Sequence, residues 1–312
     1  MTTTIYKQLA CKQDLARGKG KVTQRRNGRD VILDKINFSV SYDNLQQAID
    51  ADDLEVGDFI ETYEYNEGTG IGGAKYTICE NITTLNRPFV AYADHVMVNG
   101  FVLKLMSDGA TVLAEQCGVT YDRNTIETDQ LQASVDFVNE VRLASSNPEA
   151  GGLVKVNGHI KVDDTITRPT GRITFQGINA IASRVSWAGG SSTKSLFNLG
   201  SSSWGGFRDI RLNGYDALAG ATTADGCAHL VTFTFTDLLL EFKGCQLMSG
   251  QQDIVYIETG AGENAITNLN FNDCFTSMTG SGSIVKAEAA LGGRRPIGFY
   301  GCTLIFKSPT AD

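Results

Sequence analysis

Glu258 and Glu288 lie thirty positions apart, at the same place in two successive copies of a repeated strand pattern. Hydrolysis of a glycosidic bond uses two carboxylates flanking the bond, about 5 to 10 Å apart. If the copies stack about 4.8 Å apart, as neighbouring strands do, this pair fits the closer separation of a retaining mechanism. Glu241, Asp237 and His229 fall in the same region as possible auxiliaries. One glutamate above another on a solvated face is also an ordinary arrangement. His95, His159 and His229 are scattered, no nucleophile triad converges, and the seven cysteines show no metal-ligand spacing, so neither a metal nor a cofactor is expected.

The elements that would position these residues follow from a five-residue pattern: apolar, any, apolar, any, then Gly or Asp. It occurs at Ile173–Gly177, Ile210–Gly214, Leu240–Gly244, Leu269–Asp273 and Ile297–Gly301. The central apolar residues, 175, 212, 242, 271 and 299, are separated by 37, 30, 29 and 28 positions. Alternation of period two marks a strand and the following residue permits a tight turn. A repeat of this length holds about three short strands and three turns, which is one coil of a solenoid. The next position holds Ile178, Tyr215, Cys245, Cys274 and Cys302, a column ending in three small apolar thiols. A second strand column runs through Phe197, Val231, Val255 and Val285. The expected fold is all-β: a short right-handed parallel β-helix of about five rungs.

Before it, residues 126–143 carry Leu131, Val135, Val138 and Val141 at helical spacing, with Thr128 or Asp129 near the start. This helix is placed to cover the open end of the solenoid, whose first strands would otherwise expose apolar surface and unpaired edges. Further upstream, Leu45, Ala48, Ile49 and Leu54 suggest a short helix capped by Ser41 or Asp43. Val56 to Ile60 turn into a strand, and the glycine-rich run 68–78 reads as a hairpin. A phosphate loop is a poor reading of that run, because it leads into a strand and opens no helix. Val96–Leu105 forms a second hairpin hinged at Asn99 and Gly100.

Residues 1–40 hold nine Lys or Arg and three Asp, a net +6 on a chain of −8, so the remainder carries −14. This basic arm on an acidic body has little apolar periodicity and reads as an extended segment that orders on a protein partner. It lacks the interleaved aromatics of a nucleic-acid binder. No apolar run approaches the roughly 18 to 20 residues needed to cross a bilayer, and no secretory leader is expected.

The chain resembles bacteriophage tailspike proteins. Residues 42–78 and 99–119 are similar to the adaptor domain that precedes many tailspike β-helices. Residues 120–177, with Gly151 to Val156, Asp163 to Ile166 and Gly171 to Gly177, look like the opening of a pectate-lyase-like β-helix. The family commonly has Pro where this chain has Val156. The resemblance implies an extended virion-anchoring arm over 1–40, carried by Arg17, Lys19, Lys21, Arg25, Arg26 and Arg29; an adaptor over 41–118; and the capping helix and β-helix over 119–312. It further implies a homotrimer in the virion tail, made in the host cytoplasm, attached to a tail or baseplate protein and facing host surface polysaccharide or lipopolysaccharide. Trp187, Trp204 and Tyr300 are the expected glycan platforms, with Asn213, Asn270 and Asn272 as the expected hydrogen-bonding neighbours and Tyr215 as a further stacking ring. Five rungs make only about 25 Å of groove and the chain ends soon after the last repeat, so binding or projection is expected over cleavage, with a Glu258 and Glu288 depolymerase as the alternative.

Overall fold

The computed structural model describes residues 22–26, 29–33, 39–147, 151–168, 171–258, 266–279, 282–288 and 297–307. The chain divides into two compact units, Met1–Ser107 and Asp108–Asp312. This division falls ahead of the expected junction near residue 118, because Thr111–Leu113 pairs in parallel with Gly152–Val156 and so joins the β-helix.

In the first unit a five-stranded sheet runs Ser39–Asn44, Phe59–Glu64, Lys75–Cys79, Val102–Leu105, His95–Val96, with only the first pair parallel. Both expected hairpins are present. The helix Leu45–Ile49 is capped by Asn44, whose side chain accepts from the Gln47 N–H at 3.0 Å. Ser41 and Asp43 stand too far back, because the strand Ser39–Asn44 continues through them. The glycine-rich loop is occupied by the chain's own carboxylate: Glu64 accepts from the N–H groups of Gly68 and Gly70 at 2.6 Å each. Those donors, Gly70 foremost, hold the Glu64 carboxyl below its ordinary value. Farther on, Asp94 forks onto Arg87 at 2.6 and 2.7 Å, both side chains buried, and also accepts from the Val90 and Leu105 N–H groups. The strands Val22–Arg26 and Arg29–Leu33, within the basic segment, pair as an antiparallel hairpin.

The second unit is a parallel β-helix with three strand columns. The first comprises Gly152–Val156, Gly171–Gly177, the second halves of Ser195–Arg208 and His229–Lys243, then Ile266–Asn272 and Ile297–Tyr300. The second runs through His159–Val162, Arg184–Trp187, Arg211–Asn213, Gln246–Met248, Phe275–Thr279 and Thr303–Lys307, six strands in sequence order. The third takes Ile166–Thr167, the first halves of the two long strands, Val255–Glu258 and Val285–Ala287. Among the described residues the second column therefore has six strands, one more than the repeated pentapeptides.

Stacked phenylalanines form the core. Phe175, Phe207, Phe242, Phe271 and Phe299 pair in register, with ring centroids 5.3, 5.3, 4.9 and 4.7 Å apart and planes within 12° of parallel. The second member corrects the sequence alignment, which placed Leu212 there. Leu212 belongs to the second column with Val185 and Leu247. Gly205 stands where the other copies carry Ile or Leu, which hides the copy Gly205 to Asp209. The turn residues Asp209, Gly244, Asp273 and Gly301 all have φ between 52° and 63°, the left-handed region that Asp and Gly enter most readily. The thiol column is real, with Cys245, Cys274 and Cys302 on successive coils. Its earlier members are Ser183 and Ile210, in place of Ile178 and Tyr215. Each thiol donates to a carbonyl one coil back, that of Phe207, Phe242 and Phe271 respectively.

Helix Thr128–Ala144 buries Leu131, Val135, Phe137 and Val138 and packs on the first coil. Gly152 permits that approach, since a Cβ there would come within 2.2 Å of Val138 Cγ1.

Candidate functional site

Inward positions of the coils are mostly apolar, Arg168, Ser183 and Thr276 being buried exceptions, so chemistry is sought on the outward columns, where equivalent residues of neighbouring coils become neighbours in space. On the third column the paired register Tyr256 with Lys286 and Ile257 with Ala287, together with the Glu288 N–H bonded to the Ile257 carbonyl at 3.1 Å, brings Glu258 and Glu288 onto adjacent coils. Both glutamates are exposed. The Tyr256 hydroxyl donates to the Glu288 carboxylate, and Lys286 Nζ lies 5.7 Å from the Tyr256 ring centre.

Behind these residues His229 stacks flat on Tyr256, centroids 4.2 Å apart and planes 4° apart. Its Nδ1 stands 3.1 Å from Asp253 Oδ2. The Asp253 Oδ1 accepts from the Ser283 N–H at 2.8 Å. Burial pushes the Asp253 carboxyl up, but His229 and the Ser283 N–H outweigh it and leave it below its ordinary value. An imidazole beside a carboxylate, a phenol hydrogen-bonded to a second carboxylate and a lysine lie together on this polar surface. Tyr256 and Lys286 occupy the variable position of the second strand pattern, where the sequence marks them as outward. Asp253 precedes that pattern and carries no such signal.

On the first column Glu241 is held between coils, 3.2 Å from Arg208 Nη2 and accepting from Asn272 Nδ2 at 3.0 Å. Asn272 pairs in register with Tyr300 and Asn270 with Gly298. Tyr300 is 58% exposed, and its ring lies across Gly298: a Cβ at 298 would meet Tyr300 Cε2 at 2.5 Å and Asn270 Oδ1 at 3.0 Å. A flat aromatic face bordered by amides thus sits at the edge of the last described coil. Glu241 belongs to this surface and not to that of Glu258.

Two expected platforms are placed differently. Trp187 is 1% exposed and its indole N–H donates to the Gly190 carbonyl at 2.7 Å, so it is a core residue at the end of Arg184–Trp187. Trp204 lies in the strand Ser195–Arg208, its backbone paired with Arg172 and Leu239, not in a loop. The side chains of Trp204 and Asp237 fall outside the described set. So do Arg17, Lys19 and Lys21, while Arg25, Arg26 and Arg29 lie on the antiparallel hairpin. Among the described residues no group of three His, Cys, Asp or Glu is arranged to hold a metal ion, and no helix is long and apolar enough to cross a membrane.

No protein-family model and no curated protein matches the chain. Solved structures do. The tailspike protein gp49 of Acinetobacter baumannii bacteriophage Fri1, a capsular polysaccharide depolymerase, superposes with a TM-score of 0.55 at 15% identity, over 85% of this chain and 52% of that one. Pantoea stewartii WceF, a glycan biofilm modifying enzyme with a tailspike-like parallel β-helix, matches at TM-score 0.47 and 13% identity over 89% and 44% of the two chains. The enzymatically active domain of bacteriophage CBA120 tailspike protein 2 gives 0.43 and 11% over 91% and 54%. The chain spans about half the length of these structures. It has the parallel β-helix fold of tailspike proteins.

Proposed function

We propose that this chain is a phage tailspike or short tail fibre, a homotrimeric part of the virion tail that presents its β-helix to host surface polysaccharide or lipopolysaccharide. The segment carrying Arg17, Lys19, Lys21, Arg25, Arg26 and Arg29 anchors it to a tail or baseplate protein. The observation that supports recognition most is the Tyr300 ring lying over Gly298 beside Asn270 and Asn272. A sugar ring stacks on an aromatic face while its hydroxyls bond to amides, and glycine beneath the ring keeps the platform flat. The tailspike-type fold, over most of the chain, supports the placement in the virion.

A second reading, a polysaccharide depolymerase, is favoured by the shared register of Glu258 and Glu288, whose strand spacing of about 4.8 Å approaches the roughly 5 to 5.5 Å of retaining carboxylates. In that reading Glu288, whose carboxylate accepts from Tyr256, attacks the anomeric carbon, Glu258 donates a proton to the leaving oxygen as its bond breaks, and water then hydrolyses the glycosyl-enzyme.

The test is incubation of the purified chain with capsules and lipopolysaccharides of candidate hosts. Recognition predicts saturable binding that Tyr300→Ala weakens by about tenfold, the equivalent of roughly 1.4 kcal/mol, with no new reducing ends. Appearance of reducing ends that Glu258→Gln and Glu288→Gln each abolish would establish the second reading in its place. A stable monomer on light scattering would remove the trimeric spike.

A further inference from the structure

The outward face of the second column carries two polar ladders over its first three coils. His159, Arg184 and Arg211 pair in register on one, and Lys161, Ser186 and Asn213 on the other. A hydrogen-bonded chain crosses them: His159 Nε2 to Ser186 Oγ at 2.9 Å, Asn213 Nδ2 donating to Ser186 Oγ at 3.2 Å, and Arg211 Nε donating to Asn213 Oδ1 at 2.9 Å. Lys161 Nζ stands 2.6 Å from Asp216 Oδ2. His159, Ser186, Asn213 and Asp216 are all at most 7% exposed, whereas Arg184 and Arg211 are half-buried and Arg123 is exposed.

Two properties separate this face from polar decoration. First, buried hydrogen-bonding capacity is left over: His159 Nδ1, Arg184 Nε and Asp216 Oδ1 have no partner among the described residues. Such atoms are costly to bury unless something completes them. Second, positive charge is in excess. Arg123, Lys161, Arg184 and Arg211 outnumber the carboxylates near them, Asp216 and the Asp122 beside Lys161, in a chain whose net charge is −8. Burial, then Arg184, holds the His159 imidazole at about 4, so it stays neutral at ordinary pH. Burial, then Arg211 and Arg123, also pulls Arg184 below its ordinary value.

We propose that this face is an anion subsite which receives a carboxylate of an acidic surface polysaccharide, held by the Arg184 and Arg211 guanidinium groups with Arg123 at the rim. Guanidinium groups bind a carboxylate through paired N–H donors, and the terminal nitrogens of the half-exposed Arg184 and Arg211 supply them. The subsite gives the spike a preference for acidic over neutral glycans. It rests on the polysaccharide-binding reading but uses a different column from Tyr300, so the two can fail separately.

Calorimetric titration of the full chain with trigalacturonate, galactotriose and inorganic phosphate tests it. Expected are saturable binding of trigalacturonate, binding of galactotriose at least tenfold weaker, and at least a tenfold loss for trigalacturonate in Arg184→Gln/Arg211→Gln, partly restored in Arg184→Lys/Arg211→Lys. Equal affinity for the acidic and neutral trisaccharides overturns the subsite, as does absence of trigalacturonate binding. Binding of phosphate alone also overturns it, reducing the face to a free-anion site. If Tyr300→Ala abolishes trigalacturonate binding while Arg184→Gln/Arg211→Gln leaves it intact, the glycan reading stands and the anion subsite falls.

Discussion

Phe242→Ala is expected to destabilise the β-helix by about 3 to 5 kcal/mol, the range for removing a large buried aromatic from a packed core. Phe242 is fully buried, and its ring is clasped between Phe207 at 5.3 Å and Phe271 at 4.9 Å. Removing it takes away apolar burial and two stacking contacts at once, in a solenoid where each coil is held mainly by its neighbours. The same change at Phe299, which is 39% exposed and stacks on Phe271, is expected to cost less than half as much. Guanidinium unfolding midpoints of the two variants measure this. Equal losses would mean that the ring ladder is not continuous through coil 242.

Gly205→Leu is the second large effect, and its sign runs against the repeat. Neighbouring coils carry Ile173 and Leu240 in register with Gly205, so consensus reasoning fills the position with leucine and expects a gain. The structure gives two reasons for a loss. Gly205 has φ of +130°, and a Cβ would lie 2.2 Å from the Ile173 carbonyl oxygen. The vacated space also holds Arg168, 1% exposed, whose Nη1 donates to that same carbonyl at 2.8 Å. Burial, then Arg142, lowers the Arg168 guanidinium to about 10, still charged at neutral pH. A leucine therefore strains the backbone and displaces a buried charge from its hydrogen bond, costing at least about 3 kcal/mol. Differential scanning calorimetry should show a lower Tm; a higher one would mean that Arg168 leaves the core freely.

These two residues also mark the limit of what the sequence conveys. Phe175, Phe242, Phe271 and Phe299 are legible because an apolar residue precedes each and a Gly or Asp turn follows. Phe207 is not, because Gly205 breaks the alternation and the arginine that compensates lies far upstream, at 168. The third-column alignment of Phe197, Val231, Val255 and Val285 is legible in full from its apolar pairs. The continuity of the long strand Ser195–Arg208 escapes detection, since its glycines and serines blur period two where bulges shift the register between Asn198 and Ser203.

The surfaces divide the same way. Glu258, Glu288 and Tyr300 are found from repeat position alone, because parallel stacking converts equal phase into proximity. The His229 and Asp253 contact shares the 24-residue step of Val231 and Val255 on the third column, but both residues lie ahead of the apolar pairs that mark that column and carry no signal of their own. Trp187 misleads because a Trp followed by Gly189 and Gly190 reads as a loop, whereas the ring turns inward and bonds the Gly190 carbonyl.

All of these surfaces depend on parallel coils placing residues about thirty positions apart side by side. Cysteines at 258 and 288, introduced as Glu258→Cys/Glu288→Cys, test this directly when oxidised gently and mapped by peptide mass spectrometry. Adjacent strands put the two Cα atoms within the roughly 4.4 to 6.8 Å that a disulfide spans, so the account predicts an efficient 258 to 288 crosslink and none in Glu241→Cys/Glu258→Cys, whose positions lie on different columns. A crosslink between 241 and 258 with none between 258 and 288 would contradict it.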